Sequence, residues 1–510
     1  MLAKISSYGL QGIDGFEVSV EIDINNGLPG TEIVGLPDTA TKESKERVRS
    51  ALKNSGFRLS PKRITVNLAP ASARKAGSQF DLPIALGILQ ATEQLVSDKL
   101  DGTVFVGELS LNGDLGKVDG ILPMIISAKE KGFRRVIVPE ANAEEASYVD
   151  GIEVYAFGNL AQTVSFLTNN SEEKPIAVKD VYSALSASRH GEDMKYVRGQ
   201  YAARRALEIA AAGGHNILMI GPPGGGKTML AKCLPSILPD MTAEEMLETT
   251  KIHSVAGKLG KDEGLITSRP FRSPHHTASR IALTGGGSNA MPGEISLAHN
   301  GVLFLDELPE YSRQTLEILR QPVEDGKITV SRASRSVDYP ARFMLVASMN
   351  PCPCGNYGSQ TAECTCTPAQ INKYLSKLSG PLLDRIDIHI EVGNVTYDEL
   401  SGDTDGEDSA TVKARVDAAR TLQTKRFEGT GIHCNAQMSA ADMRIYCKTD
   451  EESERLLRSA FMKLGLSARA YTRILKVART IADLDGSENI MKKHVAEAVQ
   501  YRSLDRSYRL

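Results

Sequence analysis

The chain has 510 residues, more than one hydrophobic core can organise, so its length predicts about three or four domains. Hydrophobic residues make up 41% and charged residues 24%, an ordinary globular composition that excludes a chain unable to bury a core. The formal net charge of −3 argues against a globally basic nucleic-acid binder, so any such binding must come from local patches.

The N-terminal stretch MLAKISSYGLQG lacks the apolar segment of a secretion signal, and no apolar run reaches the ~18 residues that a membrane span needs. We therefore expect a cytoplasmic protein with no membrane partner. A reducing compartment disfavours disulfides, so clustered cysteines among the seven in the chain are more often metal ligands or redox groups.

The first region, residues 1–167, has the pattern of an α+β domain. VSVEIDI and RITVNL alternate apolar and polar residues, which predicts half-buried strands. TVFVGELSL and NGDLGKV predict a hairpin, because Asn112-Gly113 is a tight-turn pair. AKEKGFRRVIVPE predicts the end of a helix, a glycine stop and another strand. The polar residues 168–190 then predict a linker.

The second region, residues 191–400, alternates helices with short apolar strands. HNILMI, VLFL and FMLVA are continuously apolar, which is typical of a parallel sheet covered on both faces. The acidic, glycine-rich residues 401–410 predict a second linker. Residues 411–510 have apolar residues at helical spacing and predict an all-helical region.

The segment GPPGGGKT follows the predicted strand HNILMI and matches the phosphate-loop pattern G-x-x-x-x-G-K-[ST]. Its glycines let backbone N–H groups surround phosphates, Lys227 reaches the β and γ phosphates, and Thr228 offers a hydroxyl to Mg²⁺. The predicted residues for binding ATP and Mg²⁺ are Gly221, Pro222, Pro223, Gly224, Gly225, Gly226, Lys227 and Thr228.

A second motif, GVLFLDE, ends a buried strand with two carboxylates. Asp306 is expected to hold the Mg²⁺ shell and Glu307 to polarise the attacking water. The strand FMLVASMN ends in Asn350, which would hold that water against the γ-phosphate. Arg385, in GPLLDRID, would stabilise developing charge at a neighbouring subunit's site, the alternative being a surface or ion-paired arginine. Together these residues predict ATP hydrolysis.

The stretch NPCPCGNYGSQTAECTCT gathers four of the seven cysteines, Cys352, Cys354, Cys364 and Cys366. Their spacing, C-x-C-x9-C-x-C, offers four thiolates to a tetrahedral Zn²⁺, although C-x-C is tighter than the usual C-x2-C. Redox pairing and four free thiols are the alternatives. A zinc here would brace a loop rather than perform a reaction.

Long stretches of the chain resemble the YifB/ComM family of magnesium-chelatase-like AAA+ ATPases, and the resemblance covers nearly the whole chain. The matching stretches include FDLPIALGIL, GPPGGGKT, RPFRSPHHTAS, PGEISLAHNGVLFLDELPE, MNPCPCG, SGPLLDRIDIHIEV and LSARAYTRILKVARTIADL. The resemblance implies a multidomain α/β fold. Its parts would be a Lon-protease-like, ribosomal-S5-like N-terminal domain, a P-loop AAA+ domain with a parallel sheet, and a helical C-terminal lid of the chelatase type.

The same resemblance implies roles for particular residues. Asn350 would be sensor 1, Arg385 the arginine finger and Arg469 the sensor 2, with Arg473 as the competing candidate for sensor 2. A finger acting on a neighbour implies a ring, with the chain as its own partner in a homo-hexamer. ComM-type members are similar to DNA helicases that drive branch migration in natural transformation, so branched or single-stranded DNA is the expected partner.

The Lon-like domain is expected to be noncatalytic. Lon proteases use a Ser-Lys dyad, and here Gln79 falls at the place of the serine and Met124 at the place of the lysine. Ser78 is one position away, but a serine without a base in reach is a poor nucleophile. The domain would then serve assembly or DNA contact.

Two basic elements are candidates for DNA contact. SRPFRSPHHTASR carries Arg269, Arg272 and Arg280, and KITVSRASRSVDYPAR predicts a β-hairpin that presents Arg332 and Arg335. In related ring ATPases, elements at these two places point into the central channel. Intersubunit ion pairs are the alternative for these arginines.

The pair His275 and His276 has no carboxylate or cysteine beside it in sequence, so loop or DNA contacts are favoured over metal binding. Two other functions stay open for the chain as a whole. One is a chelatase-like ATPase subunit that remodels a protein partner, and the other is an ATP-dependent protease.

Overall fold

The computed structural model describes residues 2–59, 61–187, 192–260, 263–287, 290–332, 335–358, 362–395 and 406–504. It contains a mixed seven-stranded sheet, a parallel five-stranded sheet and a helical C-terminal region. This is the multidomain α/β fold that the sequence predicts.

The N-terminal region consists of short helices and a sheet of parallel and antiparallel strands. Its strands are β1 Leu2–Gln11, β2 Asp14–Asn25, β3 Gly30–Val34, β4 Arg63–Ala69, β5 Thr103–Phe105, β6 Glu108–Leu109, β7 Leu115–Gly116, β8 Arg135–Pro139 and β9 Glu153–Phe157. Its helices are α1 Thr39–Asn54, α2 Asp81–Ala91, α3 Ile121–Glu130, α4 Ala143–Ala146 and α5 Leu160–Leu167. The sheet order is β3-β4-β2-β1-β5-β8-β9, with β6 and β7 paired separately.

Local sequence explains most of these elements. Val18, Val20 and Ile22 alternate along β2 and are all buried, as the period-2 pattern predicts. Gly113, with φ of 95°, supplies the left-handed residue of the turn between β6 and β7, so the predicted hairpin is confirmed. Strand β1 was not predicted from the sequence, yet it pairs with β2 along its whole length.

The second region holds the parallel sheet. Its strands are β10 Ile217–Ile220, β11 Phe271–Arg272, β12 Gly285–Gly286, β13 Met291–Pro292, β14 Val302–Leu305, β15 Lys327–Arg332, β16 Arg335–Pro340, β17 Met344–Met349 and β18 Ile388–Glu391. Its helices are α6 Tyr201–Gly213, α7 Lys227–Cys233, α8 Ala243–Val255, α9 Arg280–Thr284, α10 Glu294–Leu297, α11 Arg313–Ile318, α12 Arg320–Asp325, α13 Pro368–Leu375 and α14 Gly380–Leu383. The sheet order is β11-β14-β17-β10-β18, and each neighbouring pair is parallel.

Parallel strands bring their carboxyl ends to one edge of the sheet. Ile220 at the end of β10 pairs with Met349 of β17, and Leu305 at the end of β14 pairs with Ala347. The loops that follow these three strands therefore emerge side by side. This edge carries the phosphate loop, the two carboxylates of GVLFLDE and Asn350.

The C-terminal region is helical, with helices α15 Ser409–Arg426, α16 Ala440–Tyr446, α17 Glu451–Leu464, α18 Ala468–Leu484 and α19 Lys492–Gln500. Ile217 and Met219 on one face of β10 share a hydrophobic core with Ile474 and Ile481 of α18. The other face of β10 belongs to a second core. The helical region therefore lies on this side of the domain, where α15 and α18 pack against α6.

The N-terminal region contacts the parallel-sheet region at several places in the described part of the chain, among them the packing of α3 against α8. Buried Glu145 accepts hydrogen bonds from the Ser254 hydroxyl of α8 and from the backbone N–H of Leu122, at 3.0 Å for the latter. A Cβ at Gly12, in the turn between β1 and β2, would lie 2.5 Å from Val337 Cγ1 of β16. Within the described ranges, no helix is both long and apolar enough to cross a membrane.

Most of the first predicted linker, residues 168–187, lies within the described ranges, whereas only the second half of the second one, residues 406–410, does. Residues 188–191 and 396–405 lie outside them. The described part of the first linker runs along the N-terminal region, where Lys179 forms a 2.5 Å ion pair with Glu144. Helix α15 begins at Ser409, capped by Asp408, within the segment expected as the second linker.

Candidate nucleotide-binding site and cysteine cluster

The phosphate loop connects β10 to α7 and has glycine at three positions where another residue would be strained or would clash. Gly224 and Gly226 have φ of 80° and 85°, in the left-handed region that other residues rarely adopt. A Cβ at Gly221 would lie 2.1 Å from the carbonyl oxygen of Val392. The backbone is therefore free to approach a ligand closely and to present its N–H groups as an anion-binding concavity.

Lys227 is the first residue of α7, and its side chain contacts the start of the phosphate loop. Its Nζ donates to the carbonyl oxygens of Gly221, at 2.7 Å, and Pro222, at 2.8 Å, and to Asn350 Oδ1 at 3.1 Å. Burial lowers the pKa of Lys227, while the carboxylates of Asp306 and Glu307 oppose that shift. The structure thus brings the predicted phosphate-loop lysine into contact with the predicted sensor residue.

The predicted magnesium ligands also meet. The Thr228 hydroxyl donates to Asp306 Oδ2 at 2.8 Å, and Asp306 accepts two further hydrogen bonds, from the Ser348 hydroxyl and from the backbone N–H of Glu307. A hydroxyl and a carboxylate are hard oxygen ligands of the kind that Mg²⁺ prefers, so the residues fit this ion. Ser348 was not predicted, although a serine in the apolar run FMLVASM is the signal that could have identified it.

Glu307 adopts a left-handed backbone conformation, with φ of 52°, and its side chain is exposed at this edge of the sheet. His276 Nδ1 lies 3.5 Å from Glu307 Oε2. The His276 ring stacks on His275 at 4.1 Å and meets the ring of Tyr311 edge-on. The Tyr311 hydroxyl donates to the carbonyl of Pro274 at 2.5 Å, which holds this turn beside Glu307. This contact was not predicted from the sequence.

The two arginines predicted to act on nucleotide each contact a carboxylate of this chain. Arg385 is mostly buried, pairs with Glu324 and donates to the carbonyl of Pro381 at 2.6 Å. Arg469 is 59% exposed, with its guanidinium 3.9 Å from Asp384. Because Asp384 precedes Arg385, the two arginines occupy neighbouring positions on the protein.

Arg473, the competing sensor 2 candidate, is engaged within the chain. It forms a 2.9 Å ion pair with buried Asp387, which also contacts His215 Nδ1 at 3.3 Å and the backbone N–H of Asn216 at 3.1 Å. Burial alone would raise the pKa of Asp387, but the Arg473 charge and the His215 hydrogen bond hold it below its usual value. His215 Nε2 bonds the Thr480 hydroxyl at 2.8 Å, so this network joins α18 to the base of β10.

In the first basic element, two of the three candidate arginines form ion pairs within the chain. Arg269 forms a 3.0 Å ion pair with Glu245 and donates to the carbonyl of Asn300 at 2.7 Å. Arg272 pairs with Glu294 at 2.6 Å. Arg280, at the start of α9, is exposed to solvent.

The second basic element is the predicted hairpin. Strands β15 and β16 pair in antiparallel register, and Arg332 lies opposite Arg335 at the end of the ladder. The side chains of these two arginines and the residues between them lie outside the described part of the chain. At the other end of the hairpin, Tyr339 is buried and donates to the carbonyl of Ala290 at 2.7 Å, which anchors the hairpin to the domain.

All seven cysteines are free thiols, and four of them converge. The sulfur of Cys352 lies 3.4 Å from that of Cys354 and 3.7 Å from that of Cys364, and the last two are 3.7 Å apart. Cys366 completes the group, since the four sulfurs lie within 4.8 Å of one another. Four sulfurs ~2.3 Å from one tetrahedral zinc would be ~3.8 Å apart, so the arrangement fits Zn²⁺ better than a single disulfide.

Hydrogen bonds in the loop favour a thiolate at Cys354. At Cys366 the backbone N–H of Cys354 lowers the pKa, but desolvation and the neighbouring sulfurs outweigh it and raise that pKa to about 12, and the pKa of Cys364 is raised as well. The backbone N–H of Tyr357 donates to the sulfur of Cys352 at 3.3 Å, and that of Cys354 donates to the sulfur of Cys366 at 3.4 Å. A hydrogen bond from the backbone N–H of Asn356 lowers the pKa of Cys354 to about 5. A thiolate is the form that binds a metal.

The residues expected at a Lon-type dyad do not form one. Met124 is buried in α3, and the Gln79 side chain donates to the carbonyl of Ala76 at 2.8 Å. The Ser78 hydroxyl donates to the carboxylate of Glu108. The hydroxyl proton of Ser78 is therefore directed to the Glu108 carboxylate and not to a lysine amine, as a Ser-Lys dyad would require.

Three family models match the chain. "Subunit ChlI of Mg-chelatase" matches residues 20–142, "Magnesium chelatase, subunit ChlI" matches 193–400, and "Magnesium chelatase, subunit ChlI C-terminal" matches 406–502. With the phosphate loop at the edge of a five-stranded parallel sheet, these matches define a chelatase-type AAA+ ATPase, a class whose members hydrolyse ATP.

Two full-length relatives narrow this class. The "Uncharacterized protein YifB" of Escherichia coli is 46% identical over 507 residues, 99% of this chain and 98% of the relative. The "Competence protein ComM" of Haemophilus influenzae is 47% identical over 509 residues, with the same coverage. The chain therefore belongs to the YifB/ComM family. A shorter similarity, 30% over 142 residues, links it to "Lon protease 2" of Bacillus subtilis.

Proposed function

We propose that this protein is a ring-forming AAA+ ATPase that couples ATP hydrolysis to DNA remodelling, as a ComM-type branch-migration helicase in recombination and natural transformation. The observation that carries the ATPase part is the convergence of Lys227 with Asn350 and of Thr228 with Asp306. These four side chains come from the segments that follow strands β10, β14 and β17, and they meet where a nucleoside triphosphate and Mg²⁺ would bind.

Each of these residues has a defined part in the reaction. Lys227 binds the β and γ phosphates, and Thr228 and Asp306 hold Mg²⁺, which neutralises phosphate charge when bound. Glu307 accepts a proton from the attacking water, and Asn350 orients that water.

The DNA part of the proposal rests on the family, on one exposed arginine and on two arginines at the end of a hairpin. A relative that is 47% identical over 99% of this chain carries the name "Competence protein ComM". Arg280, which is exposed, and Arg332 and Arg335, at the tip of the β15–β16 hairpin, are the proposed DNA contacts. Arg269 and Arg272 instead hold the first basic element in place through their carboxylate partners.

A homo-hexamer follows from the proposed role of Arg385. Its partner in this chain, Glu324, is half exposed, so Arg385 exchanges this carboxylate for a neighbouring subunit's γ-phosphate when the ring forms. Arg469 lies beside it and is exposed enough to reach the same neighbour. We propose a cytoplasmic protein in which the four clustered cysteines hold a structural Zn²⁺ and the Lon-like region is not a protease.

The DNA dependence of the ATPase rate tests this function. Purified full-length protein should hydrolyse ATP faster with a four-way junction or single-stranded DNA, and should migrate the junction. The Lys227→Ala variant should lose nucleotide affinity, whereas Glu307→Gln should bind nucleotide and turn over about a hundredfold or more slowly. Saturating DNA that changes neither binding nor the ATPase rate would remove the helicase proposal and leave the ATPase intact.

A second candidate is a chelatase-like subunit that remodels a protein partner. The family models that cover residues 193–400 and 406–502 carry the name of a magnesium chelatase subunit, which favours this alternative. A stable, ATP-dependent complex with a porphyrin-binding protein, together with an ATPase rate indifferent to DNA, would select it over the helicase.

A further inference from the structure

The cysteine loop, residues 351–367, joins the end of strand β17 to helix α13. Both of its ends are tied to the candidate nucleotide site. Asn350, immediately before the loop, contacts Lys227 Nζ at 3.1 Å. Burial raises the pKa of the Tyr374 hydroxyl on α13, and the nearby backbone of Asn350 opposes that shift. Because Tyr374 is buried, the far end of the loop is brought back to the residue where the loop begins.

The middle of the cysteine loop touches the phosphate loop directly. Gly355 has φ of 84°, and a Cβ at this position would lie 2.4 Å from Pro223 Cδ and 2.7 Å from Cγ. The Pro223 ring therefore packs against bare backbone. Its neighbour Pro222 provides one of the carbonyls that hold Lys227, at 2.8 Å.

Sulfur atoms accept part of the hydrogen bonding that organises the described parts of this loop, beside a 3.0 Å bond from the backbone N–H of Gly355 to the carbonyl of Cys352. In its described parts, residues 351–358 and 362–367, the backbone is in turns, bends and irregular structure, with no helix or strand. Two backbone N–H groups there donate to the sulfurs of Cys352 and Cys366. A metal held by four thiolates would cross-link the two halves of the loop and order it, because the free energy of metal binding is then also free energy of folding.

We propose that metal occupancy of the cysteine cluster sets the affinity of the phosphate loop for ATP. The ligand is a soft divalent cation of the Zn²⁺ class, bound by Cys352, Cys354, Cys364 and Cys366. With the metal bound, Gly355 stays packed on Pro223, and Asn350 stays aligned with Lys227. Loss of the metal releases the loop, and the phosphate loop loses its support on that side. This inference rests on the proposed ATPase function.

A matched pair of glycine variants isolates the contact between the two loops. Gly355 and Gly358 lie in the same loop with φ of 84° and 78°, so alanine strains the backbone similarly at both. A Cβ at Gly358 meets nothing within 4 Å, whereas one at Gly355 meets Pro223. In full-length protein, Gly355→Ala should keep about one zinc per chain but bind a fluorescent ATP analogue about tenfold more weakly than Gly358→Ala.

A ligand variant tests the metal itself. Cys364→Ser should lose zinc, measured by its release to a colorimetric chelator, and should lose ATP affinity, whereas exposed Thr365→Ala should keep both. The inference is overturned if the parent protein holds well under one zinc per chain, or if Gly355→Ala and Gly358→Ala bind ATP equally. In either case ATP binding by the parent, and its loss in Lys227→Ala, would leave the proposed function standing. A zinc-loaded parent that binds no nucleotide would refute the proposed function and this inference together.

Discussion

Replacing Asp387 with alanine should weaken the attachment of the C-terminal helical region to the parallel sheet. The carboxylate is completely buried and binds three groups: the Arg473 guanidinium at 2.9 Å, His215 Nδ1 at 3.3 Å and the backbone N–H of Asn216 at 3.1 Å. Alanine leaves all three without this acceptor. The perturbation acts on the segment that leads into β10 and on α18 at once, because His215 also bonds Thr480.

The expected loss of unfolding free energy follows from the Arg473 charge, which is left without its carboxylate partner. Removing one partner of a buried ion pair costs roughly 3–5 kcal/mol. Since Arg473 is 20% exposed and so keeps partial access to water, the low end, about 3 kcal/mol, applies here. For a cooperative unit of about 150–250 residues, the size of the parallel-sheet region, each kcal/mol shifts Tm by about 2–4 °C. Asp387→Ala should therefore melt about 6–12 °C below the parent.

Asp384 provides the matched control. It lies three residues away, is 31% exposed and is 3.9 Å from Arg469, a weak surface pair worth below about 1 kcal/mol. Differential scanning calorimetry of the nucleotide-free proteins, at equal concentration, compares Asp384→Ala with Asp387→Ala. If the two variants melt within about 2 °C of each other, the buried network does not hold the helical region to the sheet.

Three further outcomes are expected. His276→Ala should lower kcat for ATP hydrolysis about tenfold with little change in nucleotide affinity, because His276 orients Glu307. The control His275→Ala should lower kcat less, and equal steady-state rates for the two variants would contradict this reasoning. Burial would raise the pKa of Glu248, but hydrogen bonds and charge from its neighbours His299 and Arg342 lower that pKa from 4.5 to about 2. Its stabilising contribution is therefore present above pH 4.5 and lost as pH falls toward 2, so Glu248→Gln should show a shallower fall in Tm over that window. Ser78→Ala should change nothing in a casein-cleavage assay, and any cleavage by the parent that this variant abolishes would restore the protease hypothesis.

Much of the fold follows from local patterns. The runs HNILMI, VLFL and FMLVA predict β10, β14 and β17 because strands buried on both faces must be apolar throughout. Strand β1 was not predicted because Ser7, Tyr8 and Gly9 are buried in succession, so its sequence lacks a regular alternation of apolar and polar residues. Its place in the sheet depends on pairing with β2, which is a tertiary fact.

The candidate site divides in the same way. Lys227, Thr228 and Asp306 were predicted from motifs because each belongs to a segment that follows a strand of the parallel sheet, and the sheet brings these segments together. The approach of His276 to Glu307 was not, because it depends on how the turn after β11 folds back between Pro274 and Tyr311. Sequence spacing carries no signal for such a contact.

The sequence by itself determined the chemistry available to this protein: a phosphate loop, two carboxylates after a buried strand, and four thiols with the spacing of a metal site. These follow from residue type and from separations short enough for the local backbone to control. The tertiary structure alone decided which groups meet. It directs Arg473 to Asp387 and places Gly355 against Pro223, because the parallel sheet delivers distant segments to one edge, and packing there depends on every layer at once.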